Sequence, residues 1–465
     1  MFSIYSPSRF VMFLLFGGAI WVLDPTPAFA QSKVLQYDEK GRVISAEEYG
    51  GKSTPRPKTP KKREFGNFSK SPPGSGSVGG PNAHVFDGPD VPDWDATIGD
   101  GPGSDAPVHP PYEPGEVLVM DPGDDFIGRA TAMGYRVIET QTMKVLGLTM
   151  IRLSTPKGMD TLDAVKKLGT AFPNLVIDVN TRYAPSAGRV PKNARTARVL
   201  AGWAKISPTC GRGIKLGMID TGVDVQHPAL KGQSIAHRAF PKPGSKPGSS
   251  QHGTAIASML VGKAEWGGLL PGARLYAANM FEINAKGQEV GSAAALVKAM
   301  EWLALLKVHA VNLSITGSDN KLVRRALDIA DRAGLLLVAS VGSWGQTSKR
   351  AYPASYSEVV AVTALKGKRQ VYKFANSGPH VDFAAPGTGV WAATSPGKGG
   401  KLHYGTSFAV PYITATAGIL KNAGRAQHAE KFRKLLSRAV KDLGKPGRDD
   451  VFGYGALNVR PSCKS

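Results

Sequence analysis

The chain has 465 residues, 42% hydrophobic and 20% charged, which is ample apolar material for two or three cored domains; no stretch reaches the ~20 apolar residues of an ordinary membrane span. Its 58 Lys and Arg against 36 Asp and Glu give a net charge of +22, but the excess is one-sided: residues 1–185 hold 19 basic and 21 acidic side chains, and residues 186–465 hold 39 and 15. Two cysteines, Cys210 and Cys463, exclude a disulfide-dense small fold and a four-thiolate zinc site.

Arg9, the apolar run Phe10 to Leu23, a Pro-Thr-Pro break and Ala28-Phe29-Ala30 follow the order of a cleavable secretory signal, so residues 1–30 are expected to be removed after Ala30. The remainder is then expected in the periplasm or secreted, with no membrane span after cleavage and no cysteine placed for a lipid anchor. Residues 31–114 are rich in Gly, Pro, Ser and charge and lack apolar periodicity, the composition of a mostly disordered arm. From Asp87 to Asp125 there are 11 acidic residues and no Lys or Arg; this stretch suits either a solvated spacer or a segment lying on the basic C-terminal part.

Residues 115–185 change pattern. Glu116 to Met120 reads as a strand, Asp124 to Met133 as a helix, Tyr135 to Thr142 and Leu146 to Leu153 as strands, Thr161 to Ala171 as a helix and Leu175 to Val179 as a last strand. That order, β-α-β-β-α-β, is the ferredoxin-like arrangement of a small α+β domain. From Trp203 onward, short apolar runs (Ile214 to Ile219, Ala310 to Ser314, Leu335 to Ala339, Val359 to Val362) alternate with helical stretches such as Ser292 to Leu306 and Lys321 to Arg332. The alternation predicts an α/β domain with a doubly wound, mostly parallel sheet, whose functional residues gather at the carboxyl ends of the strands.

Three residue groups fall at such ends. Asp220 directly follows the first strand, in Ile219-Asp220-Thr221-Gly222; alone, it could be a turn cap. His252 opens an apolar helix in Gln251-His252-Gly253-Thr254, where Gly253 admits a second backbone at close range. Ser407, in Gly405-Thr406-Ser407-Phe408-Ala409-Val410-Pro411, precedes the helix Tyr412 to Asn422, so developing negative charge there is favoured by a helix N-terminus. Asp, His and Ser in this order, each at a strand-to-helix junction of one exported α/β domain, match the order of the subtilisin triad.

The chain therefore resembles the subtilase family of serine endopeptidases. The likeness also takes in Asn312-Leu313-Ser314, Tyr352-Pro353-Ala354, Phe383 to Gly387 and Tyr454 to Asn458, and covers about residues 203–460. It implies a subtilisin-like catalytic domain over 203–465 acting on polypeptide substrates, with Ser407 as nucleophile, His252 as its base and Asp220 as the carboxylate that orients the imidazole. In the place where the family carries an oxyanion-donating Asn, this sequence has Ser343, and no Asn stands between Asn320 and Asn376. A hydroxyl can donate there but is shorter; loss of such a donor costs about 10²–10³ in turnover in the subtilisin case on which the general figure rests.

By the same resemblance, Ser314, Ile315 and Gly317 belong to the strand edge that pairs with an extended substrate, here one residue longer through Thr316. The 115–185 domain becomes a prodomain that inhibits its own enzyme through the tail Val179 to Pro185. Residues 186–202, carrying Arg189, Lys192, Arg195 and Arg198, become a processing linker. Cys210 and Cys463 flank the catalytic domain and are expected to bridge in an oxidising compartment. No cofactor is implied and no metal motif is present, although a structural calcium held by backbone carbonyls stays compatible with the family; no nucleic-acid partner is expected. The rival reading is a catalytically weak or inactive binding protein on the subtilase scaffold, motivated by Ser343.

Overall fold

The structure, a computed structural model, describes residues 111–185, 201–203, 206–284, 287–345 and 348–459, together with the backbone of residues 34–37 and 43–47. The chain divides into two units, Met1–Pro89 and Asp90–Ser465. In the first, β1 (Val34–Tyr37) and β2 (Val43–Glu47) pair as an antiparallel ribbon, a feature that the compositional reading of the arm does not contain. The signal peptide expected at 1–30, the rest of the arm up to residue 110, the linker residues 186–200 and Cys463 lie outside the described residues.

The second unit begins with β3 (Tyr112–Met120), α1 (Phe126–Ala132), β4 (Arg136–Met143), β5 (Leu148–Ser154), α2 (Thr161–Ala171) and β6 (Val176–Pro185). The four strands form an antiparallel sheet in the order β4-β5-β3-β6. Alternation splits its side chains between two layers. Val117, Val119, Ile151 and Leu153 pack with Phe126, Ala130 and Leu168 of its own helices. Leu118, Met120, Met143, Leu148 and Met150 face the other way and pack into a core of the following domain.

That domain runs through β7 (Lys215–Asp220), β8 (Ile235–Ala239), β9 (Lys246–Pro247), α3 (Gln251–Val261), β10 (Arg274–Asn279), β11 (Phe281–Ile283), β12 (Glu289–Ser292), α4 (Ala293–Leu305), β13 (Ala310–Leu313), β14 (Ile315–Gly317) and α5 (Lys321–Arg332). It continues with β15 (Leu336–Ser340), β16 (Val359–Lys366), β17 (Gln370–Val371), β18 (Phe383–Pro386), β19 (Thr388–Ala393), β20 (Gly400–Tyr404), α6 (Val410–Asn422) and α7 (Ala429–Leu436). Seven strands, β8-β10-β7-β13-β15-β16-β18, are parallel neighbours, and β17 adds an antiparallel edge to β16. The strands read as near-continuous apolar runs because both faces are covered. One face carries α3, α6 and α7; the other carries α4 and α5.

Strand order reverses at β7, with β10 on one side and β13 on the other, so the crevice that such reversals create opens at the carboxyl end of β7, where Asp220 stands. Outside the parallel sheet, β6 of the small domain lies between β12 and β14, antiparallel to both. Ala201 and Trp203 are fully buried in the core that α3 and α6 share, and a Cβ on Gly202 would lie 2.2 Å from Val459 O.

A buried Asp ties the last strand and helix to the sheet. Asp382 is 2% exposed, pairs with Arg433 at 2.8 Å and with Arg448 at 3.4 Å, and accepts from Ala361 N. Removing one partner of such a group leaves buried charge uncompensated, at about 3–5 kcal/mol. Asp382→Ala, measured by urea unfolding in a Ser407→Ala background, should lose at least about 3 kcal/mol; a loss below about 1 kcal/mol would mean that the carbonyls of Ser357, Val359, Pro379 and Val381, which the two guanidinium groups already meet, suffice to hold them.

Candidate active site

Asp220 is fully buried at the end of β7, and its Oδ1 accepts from Thr221 N at 2.7 Å. His252, 9% exposed, is the second residue of α3, and its Nδ1 lies 2.7 Å from the same Oδ1. What brings the two together is a close backbone approach. Gly253 sits so near the turn after β7 that a Cβ would lie 2.4 Å from Gly222 O and 2.5 Å from Thr221 O. Gly253 N also donates to Thr221 Oγ1 at 2.8 Å, and Asp224 N to Thr254 Oγ1 at 2.8 Å, so turn and helix are stitched on both sides of the imidazole.

Ser407 is fully buried in a short 3₁₀ turn, Thr406–Phe408, just before α6, which starts at Val410 rather than at Tyr412. Its Oγ donates to Ser314 O at 3.3 Å, and Phe408 next to it turns its ring toward His252, with centroids 5.6 Å apart. Asp220 and His252 are thus in direct contact, and Ser407 is the sequence neighbour of the phenylalanine whose ring faces that imidazole. Ser314 has a structural part as well: its hydroxyl accepts from Asn312 Nδ2 at 2.8 Å and donates to Ser407 O at 3.0 Å, anchoring the Ser407 turn to β13.

Ser343, 4% exposed, follows β15, and its Oγ accepts from Thr406 N at 3.2 Å and lies 3.2 Å from Thr406 Oγ1. Asn376 braces this loop: its Oδ1 accepts from Trp344 N at 3.0 Å and its Nδ2 donates to Lys349 O at 3.2 Å. Ile315 and Gly317 lie on β14, opposite Pro185 and Tyr183 of β6, with Thr316 opposite Ala184. Tyr183 is fully buried; a Cβ on Gly317 would come within 2.6 Å of its ring, so only glycine leaves room for it.

Sequence reasoning missed several residues. His403 on β20 stacks on Phe408 at 4.7 Å, and burial, with Lys401 and His252 adding, pushes its imidazole down to about 3, so it brings no second positive charge beside His252 at neutral pH. Its position four residues before Ser407 was the available signal. Asn180 and Asp178 of β6 were also unremarked: Asn180 Oδ1 accepts from Ala294 N at 3.1 Å and Asp178 Oδ2 from Lys321 N at 2.8 Å, so the small domain caps the first turns of α4 and α5. Cys210 is fully buried. Among the described residues no group of three or more His, Cys, Asp or Glu is placed to hold a metal ion, so a structural calcium finds no carboxylate cluster there, and no helix is long and apolar enough to cross a membrane.

Gly253→Ala should force the turn and α3 apart. The expected outcome is a lower melting temperature and loss of the hydrogen-bonded imidazole proton from the downfield proton spectrum, whereas Gly169→Ala in α2, where a Cβ meets nothing within 4 Å, keeps that proton and leaves the melting temperature the same or slightly higher.

A match to the subtilase family spans residues 211–455. The minor extracellular protease Epr of Bacillus subtilis (strain 168) is 33% identical over 256 residues, which are 54% of this chain and 38% of that protein. The major intracellular serine protease of the same organism is 28% identical over 276 residues, 57% of this chain and 81% of that protein. Subtilisin DY of Bacillus licheniformis is 28% identical over 261 residues, 55% of this chain and 92% of that protein. Fervidolysin from Fervidobacterium pennivorans, a keratinolytic enzyme related to subtilisin, shares the fold with a TM-score of 0.60 and 23% identity, over 75% of this chain and 60% of its own.

Proposed function

This chain belongs to the subtilase family, and from that premise we propose that it is an exported serine endopeptidase, made as a zymogen, that hydrolyses peptide bonds through Ser407, His252 and Asp220. The observation that carries the proposal is the 2.7 Å contact between His252 Nδ1 and the buried Asp220 Oδ1, with Phe408, the neighbour of Ser407, turning its ring to the same imidazole at 5.6 Å. A carboxylate can only accept, so Nδ1 carries the proton and Nε2 is left as the base. Asp220 then holds the imidazole in that tautomer and stabilises the imidazolium once it forms. Ser407 attacks the scissile carbonyl as His252 takes its proton; His252 returns the proton to the leaving amine, and water repeats the sequence on the acyl-enzyme.

The developing oxyanion is met by the backbone N–H of Ser407 and by Ser343. Ser343 Oγ accepts from Thr406 N and lies 3.2 Å from Thr406 Oγ1; with the Thr406 hydroxyl as donor of that pair, the Ser343 proton is left for the oxyanion. The reaction uses only this chain's side chains and backbone, and no step runs through a metal. The 111–185 domain is read as a ferredoxin-like prodomain: its strand order β4-β5-β3-β6, its apolar face against α4 and α5, and β6 between β12 and β14 all favour an intramolecular inhibitor whose tail occupies the peptide-binding edge. The cut that frees it falls between residues 186 and 200, since Ala201 and Trp203 belong to the core of the catalytic domain. Export through a signal at 1–30 to the periplasm or beyond is consistent with a Cys210–Cys463 bridge, worth about 3–5 kcal/mol in the chain-entropy model for so long a loop.

Intact masses of the exported wild type and of Ser407→Ala test the proposal. Wild type should begin between residues 187 and 201 while the mutant keeps its prodomain; a wild type that also stays uncut, and that a serine-directed phosphonate fails to label, would favour a binding protein on this scaffold. Ser343→Ala in the processed enzyme should lower kcat by about 10–10²-fold with KM little changed, and Ser343→Asn should restore or exceed the wild-type rate. Equal kcat in Ser343→Ala would remove Ser343 from the oxyanion site.

A further inference from the structure

A chain of charges links the peptide-binding strand to the catalytic domain through a residue that leaves with the prodomain. Arg182 on β6 lies opposite Ser292 of β12, and its Nε donates to Glu113 Oε1 at 2.8 Å. Glu113 Oε2 in turn accepts from Lys242 Nζ at 2.8 Å, and the same ammonium donates to Glu116 Oε1 at 2.9 Å. Lys242 is a catalytic-domain residue, in the loop between β8 and β9; Glu113 and Glu116 are both on β3 of the small domain. The side chains of Arg182, Glu113, Glu116 and Lys242 are 9%, 11%, 15% and 19% exposed, so the linkage is largely shielded from solvent. The catalytic-domain carboxyl nearest to it, Glu282, is turned to the main chain: its Oε2 accepts from Lys242 N at 2.5 Å.

Arg182 is therefore accommodated in the cleft by a counterion that the prodomain brings with it. Once Glu113 and Glu116 have gone, Lys242 Nζ has lost both carboxylates, and a side chain at the Arg182 position of any other peptide meets an ammonium at the far end of the gap that Glu113 had filled. Resting on the reading of the chain as a serine endopeptidase, we propose that Lys242 makes this subsite of the processed enzyme select substrates with Asp or Glu at the position opposite Ser292, the reverse of the charge that the prodomain tail carries there. An acidic side chain at that position replaces Glu113 directly, whereas a basic one places like charges together. The same arrangement makes the folded prodomain a better inhibitor than its own tail: a tail peptide retains Arg182 but has no Glu113.

The test uses the self-processed protein and two fluorogenic peptides built on Asn180 to Pro185, one with the natural sequence and one with Arg182→Glu. At low salt kcat/KM should be about fivefold higher for the Glu peptide, the size of effect a partly exposed ion pair supplies. The ratio should fall below twofold in 0.5 M NaCl and in Lys242→Met, but not in Lys434→Met, which removes a distant exposed charge. A wild-type ratio at or below one, or a ratio that Lys242→Met leaves unchanged, overturns the subsite while cleavage of denatured casein continues. If casein and both peptides are untouched, the protease reading itself has failed and the subsite falls with it.

Discussion

The site depends on one backbone approach. A helix whose second residue must place an imidazole against a buried carboxylate has to start within van der Waals distance of the turn that carries that carboxylate, and Gly253 is where the two main chains meet, 2.5 Å being left for an atom that is not there. Everything downstream inherits that geometry: the Asp220–His252 bond, the stitching by Thr221 and Thr254, and the facing of His252 and Phe408. Ser407 is fixed independently, through Ser314, whose hydroxyl donates to its carbonyl and whose carbonyl accepts from its hydroxyl.

The second constraint is the pair of edges that β12 and β14 present. β12 and β14 are short, and between them stands a gap one strand wide that β6 fills with main-chain pairing on both sides. An unpaired edge attracts any extended chain, which is the use a peptidase has for it and also the hazard of exposing it. The small domain answers both, because its sheet is sandwiched between its own helices and α4 and α5. Burying Leu118, Met120, Met143, Leu148 and Met150 in that second layer contributes on the order of 1.5–3 kcal/mol per side chain. Affinity comes from that layer, and β6 is carried into the cleft by it.

Elements with their own local signals were legible in the sequence. Lys321 to Arg332 is helical over the span its pattern suggests, because Asn320 caps it and a wide apolar stripe faces the core; β7, β13 and β15 stand within a residue or two of the apolar runs that announced them, and β16 begins where its run does but continues four residues further, to Lys366. β6 was read only as far as Val179 because residues 180–185 have no alternation of their own; they are extended because β12 and β14 pair with them. The same limit applies to the site. Asp220, His252 and Ser407 sit in motifs, whereas the attachment of Ser343 to Thr406 spans 63 residues and that of Lys242 to Glu113 spans 129, and no local pattern encodes such pairs.

Charge explains why the two domains are matched rather than merely adherent. Around Lys242, the residues Arg152, Arg182, Lys242 and Lys298 face Glu113, Glu116, Glu139 and Glu282, four cations against four carboxylates. Taken apart, the small domain holds three of the carboxylates with two arginines, and the catalytic domain holds two lysines with Glu282. Within this cluster each part alone is unbalanced by one charge, in opposite senses, and the eight groups together are neutral. Buried ion pairs of this kind add little net affinity over apolar contacts of the same volume, because desolvation offsets their attraction. What they impose is register, since a shift of β3 by two residues would set like charges together in a place that water cannot screen. The apolar layer is tolerant of sliding and the charge cluster is not, so the register of β6 between β12 and β14 is set by the pairing of Arg182, Glu113, Glu116 and Lys242.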